Sequence, residues 1–128
     1  MPRKKTPNLT EAERRLMNVV WDRGEATVND VVAALKDDRQ LAYNTILTTM
    51  RILERKGYLR HIKEGRAHVY QPLVSREQAR RQAVRHVVRG FFEDSPALLL
   101  MNILKNEKLS TEELERLKEM TQQYEEGT

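Results

Sequence analysis

The sequence predicts a mainly α-helical fold with one small two-stranded β element, a wing, in its first half. Three observations predict it. Two short segments with helix-capping signals come first, an amphipathic helix follows at residues 42–56, and a hairpin pattern follows at residues 58–72. From residue 74 onward the apolar spacing is helical. This order predicts a winged helix-turn-helix followed by a helical dimerisation domain.

The first two helices are each predicted from a capping motif. Thr10 with Glu13 is expected to form a capping box ahead of the first helix. Thr27 with Asp30 is expected to form an equivalent cap ahead of a second, shorter helix. Gly24 is expected to end the first helix. Residues 1–8 are basic and contain two prolines, so we expect a flexible arm ahead of the first helix.

The third helix carries two faces of opposite character. At about 100° per residue, Ile46, Met50 and Leu53 share one face and predict core contacts. The other face offers amide, hydroxyl and guanidinium groups, the chemistry that contacts base edges and phosphates in a major groove. Such a face is more often only a solvated surface. The helices before it and the hairpin after it favour a recognition helix.

We therefore expect the recognition helix and the wing to bind double-stranded DNA. The residues predicted to enter the major groove are Asn44, Thr45, Thr48 and Arg51. The residues predicted to flank or touch the phosphate backbone are Tyr43, Arg55, Lys63 and Arg66.

Charge and composition narrow the function further. Residues 1–72 hold 14 Lys and Arg against 9 Asp and Glu, whereas residues 90–128 hold 4 against 9. A basic first half fits a polyanionic partner. The chain has no cysteine, so disulfides and thiolate metal sites are excluded, and no cofactor is expected. No apolar run is long enough to span a membrane, so we expect a cytoplasmic protein without stable membrane association.

No catalytic motif is present. The chain lacks a glycine-rich phosphate loop and a nucleophile motif, so we expect no enzyme. A hairpin turn at Glu64-Gly65 would place His61 opposite His68 across the wing. Two histidines alone lack the third and fourth ligands of a zinc site, and we expect no metal there.

The C-terminal helices are predicted to form a dimer interface. Helix starts are expected at Ser75, Ser95-Pro96 and Ser110, and the middle helix is apolar on nearly all sides. About 55 residues in three helices cannot bury so much apolar surface by themselves. A second copy would bury it; the alternative is that the segment folds back over its own winged helix. The predicted dimer contacts are Phe91, Leu98, Leu99, Met101, Leu104 and Leu117. The expected parts are an arm at 1–8, a DNA-binding domain at 9–73 and a dimerisation domain at 74–128.

Three stretches of the chain, together with the wing that follows the second of them, resemble the penicillinase repressor family, which includes methicillin-resistance and copper-responsive repressors. They read LTEAERRLMNVVWDRGEATVNDVVAAL, AYNTILTTMRILERKGYL and NILKNEKLSTEELERL, and the resemblance covers about Leu9 to Met120. Its more specific parts are Trp21 at the end of the first helix and the pair Thr45 and Thr48. The resemblance implies a homodimeric transcriptional repressor that sits on palindromic operators.

The branches of this family differ in the signal they answer. The copper-responsive branch carries a cysteine-rich C-terminal metal hook, whereas this chain has no cysteine and ends in QQYEEGT, so copper sensing is not expected. In the β-lactamase branch a membrane sensor-protease triggers cleavage at an Asn-Phe bond. The matching position here is Asn102-Ile103, where the Asn is kept and the aromatic residue is replaced. The resemblance thus implies a candidate cleavage site and a sensor-protease as a candidate partner.

Two alternatives from other functional classes stay open. One is a winged-helix regulator that binds a small ligand between its two domains, which a hydrophobic cavity opening on arginines of the helix starting at Ser75 would favour. The other is a winged helix used purely as a protein-interaction module, which predicts no salt-sensitive binding to duplex DNA.

Overall fold

The computed structural model of the protein describes residues 9–37 and 41–127. The predicted arm at residues 1–8 lies outside the described residues. Within the described part the elements are α1 (Glu11–Arg23), α2 (Val28–Ala34), α3 (Tyr43–Arg55), β1 (Leu59–Glu64), β2 (Ala67–Pro72), α4 (Arg76–Phe91), α5 (Pro96–Asn106) and α6 (Thr111–Glu126). The predicted fold class is therefore confirmed: helices with one antiparallel two-stranded wing.

The predicted capping motifs form as hydrogen-bonded boxes. At the start of α1, Glu13 N–H donates to the Thr10 hydroxyl over 3.1 Å, and Thr10 N–H donates to the Glu13 carboxylate over 2.8 Å. Thr27 and Asp30 make the same pair of bonds ahead of α2. These bonds satisfy backbone donors that the helix itself leaves unpaired, which fixes where each helix begins.

One hydrophobic core joins α1, α2 and α3 to the base of the wing. The apolar face predicted for α3 is confirmed, because Ile46, Met50 and Leu53 are fully buried. They pack in one cluster with residues of the other elements, among them Leu16, Met17, Val20, Val31, Leu59 and Tyr70. The core therefore holds α3 with its polar face turned to solvent.

The end of α3 turns the chain directly into the wing. Gly57 adopts a left-handed conformation with φ of 88°. Tyr58 N–H donates to Leu53 O over 2.9 Å, and Gly57 N–H donates to Glu54 O over 3.1 Å. This pair of hydrogen bonds is a Schellman motif. Its left-handed position favours glycine, because a residue without Cβ adopts that conformation without a steric penalty. Gly57 therefore ends α3 as a left-handed cap.

The wing turn lies one residue later than the sequence pattern predicted. Glu64 pairs with Ala67, so the two loop residues are Gly65 and Arg66, and the expected turn at Glu64-Gly65 is wrong. Gly65 has φ of 62° and occupies the first loop position, where a type II′ hairpin turn requires glycine. His61 therefore pairs directly with Tyr70, and His68 pairs with Lys63.

The start of α4 packs against α1. The Trp21 indole N–H donates to Val74 O over 2.9 Å. Arg76 lies over the Trp21 ring at 5.4 Å from the ring centroid and forms an ion pair of 2.7 Å with Asp22. The chain divides into two compact units between His86 and Val87, so α4 begins in the first unit and continues into the second. The expected domain boundary at residues 73 and 74 stays a prediction.

The second unit contains the end of α4 together with α5 and α6. Glu93 and Asp94 both have positive φ and form the connection to α5, where Asp94 N–H donates to Val88 O over 3.0 Å. Ser95 caps α5 by accepting a bond from Leu98 N–H, and Ser110 with Glu113 forms the predicted box ahead of α6. None of the described helices is both long and apolar enough to cross a bilayer.

Candidate nucleic-acid interface

The polar face of α3 is exposed to solvent. Asn44, Thr45, Thr48, Arg51 and Arg55 are all exposed, and Tyr43 at the start of the helix is about half exposed at 48%. This face lies opposite the buried residues of α3, so the core fixes its direction.

One threonine of α3 has a structural role. The Thr49 side chain is buried, and its hydroxyl donates to Thr45 O over 2.7 Å within the helix. That bond removes the Thr49 hydroxyl from any external contact. Thr45 and Thr48 keep their hydroxyls on the exposed face.

The N-terminus of α3 differs from those of α1, α2 and α6. Ala42 is its N-cap residue and gives no side-chain hydrogen bond, and the first turn contains no acidic residue. In α1, α2 and α6 a capping box supplies a carboxylate at this place. The N-terminus of α3 therefore keeps the positive end of its helix dipole uncompensated by an acidic side chain, which favours an approaching phosphate.

The wing adds two cationic residues beside this helix. Lys63 lies on β1 opposite His68, and Arg66 lies in the turn; both are exposed. Side chains on one face of the hairpin include those of His61, Lys63 and His68. The rings of His61 and His68 stack with their centroids 4.6 Å apart, although the two residues are not direct partners in the register.

A side-chain pair that sequence reasoning missed joins α3 to the wing. Nδ1 of His61 on β1 lies 2.7 Å from Oε2 of Glu54 on α3. A carboxylate only accepts hydrogen bonds, so we assign the proton to Nδ1. Burial raises the pKa of the nearby Tyr70 hydroxyl, Glu54 raises it further, and Arg51 acts in the opposite direction. The exposed face of α3 and the base of the wing therefore form one continuous surface.

A second missed pair holds the end of α3 to α1. Lys56 Nζ lies 2.7 Å from Oε2 of Glu13, whose side chain is only 5% exposed. Burial acts to raise the pKa of Glu13, but bonds donated by Lys56 and by Thr10 outweigh it, and the net pKa lies below the usual value of 4.5. Glu13 thus serves the α1 cap and anchors the helix that carries the candidate interface.

The structure brings the eight predicted DNA-contact residues to two neighbouring elements. Six of them lie on α3, and Lys63 and Arg66 lie on the wing. In the described part of the chain, no group of three or more His, Cys, Asp and Glu residues is arranged to hold a metal ion.

The residues predicted for the dimer interface lie on α4, α5 and α6. Phe91 is 80% exposed, and Leu98, Met101, Leu104 and Leu117 are also exposed, whereas Leu99 is half-buried. Asn102 is exposed on α5, where its carbonyl oxygen accepts a 3.0 Å bond from the Asn106 side-chain amide.

A polar, exposed third helix joined to a two-stranded wing defines a winged helix-turn-helix protein. The penicillinase repressor family matches residues 9–123, nearly the whole chain. The chain therefore belongs to the penicillinase repressor family, and it is a DNA-binding transcriptional repressor rather than an enzyme.

Relatives support this assignment along most of the chain. The penicillinase repressor of Bacillus licheniformis is 29% identical over 121 residues, covering 94% of both chains. The methicillin resistance regulatory protein MecI of Mammaliicoccus sciuri is 25% identical and covers 89% of this chain and 93% of its own. The solution structure of the DNA-binding domain of the repressor BlaI matches with a TM-score of 0.52 and 34% identity, covering 59% of this chain and 93% of that chain.

Proposed function

We propose that the protein is a homodimeric repressor that acts in the cytoplasm and binds a palindromic operator, one winged helix to each half-site. One observation carries the proposal. The exposed polar face of α3 and the cationic wing are tied together by the Glu54–His61 bond into one basic surface. One relative described above is named a penicillinase repressor and another a methicillin resistance regulatory protein, which agrees with it.

In this proposal the two parts of the surface have different tasks. Asn44, Thr45, Thr48 and Arg51 read base edges, because their amide, hydroxyl and guanidinium groups match base donors and acceptors. Arg55, Lys63, Arg66 and Tyr43 contact the phosphate backbone, which fixes register but carries no sequence information. Arg51 is the strongest specificity candidate, since its fork-shaped donor pattern fits the acceptors of guanine.

Operator selection from a random duplex library, followed by titration of variants, tests these roles. We expect Arg51→Ala to weaken the selected operator by ~1–3 kcal/mol and to relax preference at one position per half-site. Lys63→Ala is expected to weaken all sequences alike and to reduce the salt slope by about 1. Arg116→Ala and Lys118→Ala on α6 are charge-matched controls. An unchanged specificity profile for Arg51→Ala would refute its assignment.

The dimer part of the proposal is supported by the unpartnered apolar side chains of the second unit. Leu100, Met101 and Leu104 on α5 and Met120 on α6 are each more than half exposed. Contiguous exposed apolar surface on a monomer marks an interaction site. A second copy is the occupant we propose, because paired recognition helices match the two-fold symmetry of a palindromic site.

We further propose that repression is relieved by cleavage at Asn102-Ile103. This bond lies inside α5, so a cut there would separate α6 from α4 and from the first part of α5. The remaining chain would lose much of the proposed dimer surface, and operator occupancy would fall by mass action. A peptide bond within a folded helix resists proteases. Local unfolding or a dedicated sensor-protease must therefore expose the Asn102-Ile103 bond. Mass spectrometry of the protein from induced cells tests this step; an intact chain during full induction excludes it.

A further inference from the structure

A cavity of about 390 Å³ lies between α1 and the first half of α4. All its lining residues precede His86, so the cavity belongs to the first unit alone. Its volume falls within the range of small-molecule sites. None of the residues proposed to contact DNA lines it.

The apolar part of the cavity lining includes one aromatic side chain and two alanines. Trp21 contributes its indole, which the bond to Val74 O holds in place. Ala79 and Ala83 line the α4 side, and their short side chains leave the space open. They lie four residues apart and therefore on the same face of the helix. A flat apolar group fits this lining.

Two of the three lining arginines are available to a ligand. Arg76 is already engaged by the Asp22 carboxylate at 2.7 Å and by Asn18 O at 3.3 Å. The Arg14 guanidinium has no ion pair with any residue in the described ranges. Arg80 approaches Glu77 only at 3.6 Å, in a pair with both side chains about two-thirds exposed. An exposed pair of that kind contributes little and is easily exchanged.

We propose that this cavity binds a small organic anion with a flat apolar body and one carboxylate. The body packs beside Trp21, whose ring carries Arg76 over one face, and fills the space next to Ala79 and Ala83. The carboxylate accepts charge-assisted hydrogen bonds from Arg14 and Arg80.

The site joins α1 and α4, and neither helix carries a residue that we propose to contact DNA. A ligand that contacts both α1 and α4 stabilises their packing, because it binds the folded arrangement and not the unfolded chain. Saturating ligand is therefore expected to raise the melting temperature of the protein.

The probe for the test is 2-naphthoate, measured by calorimetry on the full chain without DNA. A second measurement is the NMR spectrum of the protein. Trp21 is the sole tryptophan, so its single indole N–H resonance reports binding at this site. We expect saturable binding with a shift of that resonance. Arg14→Gln and Arg80→Gln are each expected to weaken binding about tenfold, the effect of losing one charge-assisted bond. The neutral analogue 2-naphthamide is expected to bind at least about tenfold more weakly for the same reason.

Matched controls lie beside each arginine. Arg15→Gln and Arg81→Gln remove the same charge from neighbouring positions that do not line the cavity, and they are expected to bind like the wild type. Ala83→Phe fills the cavity and is expected to abolish binding. The proposal is overturned if no saturable binding occurs up to about 1 mM, or if all four arginine variants bind alike. Because DNA is absent from the assay, its result is independent of operator binding.

Discussion

The winged helix (α1 to β2) and the C-terminal helices (α5 and α6) differ in how far their large apolar side chains are buried. In the first, Leu16, Ile46 and Leu53 are fully buried within one chain. In the second, Leu104 and Met120 are about 60% exposed although they lie on regular helices. The difference shows that a segment can form regular helices while its apolar side chains stay exposed. Exposed apolar surface of this kind indicates an interaction partner.

The two regions also differ in charge. The winged helix is basic, and its exposed helix face carries donors and cations, whereas residues 90–128 carry an acidic excess. Surface charge of this kind bears on partners rather than on the fold. The basic region suits DNA, and we infer that the acidic region, with its apolar faces, suits a protein partner.

The largest expected effect is on the free energy of unfolding, and it is tested by substituting one buried residue and one exposed residue. Ile46→Ala removes a fully buried side chain and is expected to lower the free energy of unfolding by about 2–5 kcal/mol. Leu104→Ala, measured at a protein concentration low enough to keep the chain monomeric, is expected to lower it by less than about 1 kcal/mol. Urea denaturation followed by circular dichroism measures both. Equal losses would break the comparison.

The second prediction concerns self-association. Leu104→Glu places a charge on the apolar surface of α5 and is expected to raise the dimer dissociation constant at least about 100-fold, which is about 2.7 kcal/mol. Leu73→Glu is the matched control, because Leu73 is similarly exposed at 54% but precedes α4. Sedimentation across a concentration series gives both constants. A Leu104→Glu variant that associates as strongly as the control would exclude α5 from the interface.

The third prediction concerns the buried ion pair of the winged helix. The pKa of Glu13 is lowered on folding, so its ionised form stabilises the fold above about pH 4.5, and this stabilisation is lost as the pH falls through the lowered pKa. Glu13→Gln is therefore expected to cost about 1–2 kcal/mol at pH 7 and progressively less in acid. Glu11→Gln, an exposed change on the same helix, is expected to cost almost nothing. A cost for Glu13→Gln that stays constant down to pH 3 would contradict the role of its charge.

The smallest effect compares two glycines with equal space around them. A Cβ added at Gly65 or at Gly90 meets no atom within 4 Å, so only backbone conformation separates them. Gly65→Ala is expected to destabilise by about 1 kcal/mol, because φ of 62° disfavours a side chain. Gly90→Ala, in the last turn of α4, is expected to stabilise by about 0.5 kcal/mol, less than in a helix interior. Thermal unfolding measures both, and effects of the same sign would contradict the assigned turn.

Sequence predicted the parts of the molecule that local signals decide. The boxes at Thr10, Thr27 and Ser110 require residues three positions apart, and the buried face of α3 follows from helical spacing. The register of the wing did not follow, because Glu-Gly and Gly-Arg are both acceptable two-residue loops and the positive φ of Gly65 settles the choice only in the folded hairpin.

The side-chain pairs that position the candidate site were not predictable in the same way. Glu54 and His61 belong to different elements, and Glu13 and Lys56 are 43 residues apart. No local pattern indicates such pairs, since they depend on how elements meet in space. The polar face of α3 was predicted by spacing, whereas the bonds that hold it at a fixed position became visible only in the fold.

Selection of duplexes from a random library by the full-length protein tests the central claim most directly. Two winged helices joined by their C-terminal helices are predicted to enrich an inverted repeat, with half-site centres one helical turn of about 10 base pairs apart or a multiple of it. The complex with the enriched duplex is predicted to contain two chains. Enrichment of an unsymmetrical single site bound by one chain, or no enrichment at all, would contradict the account.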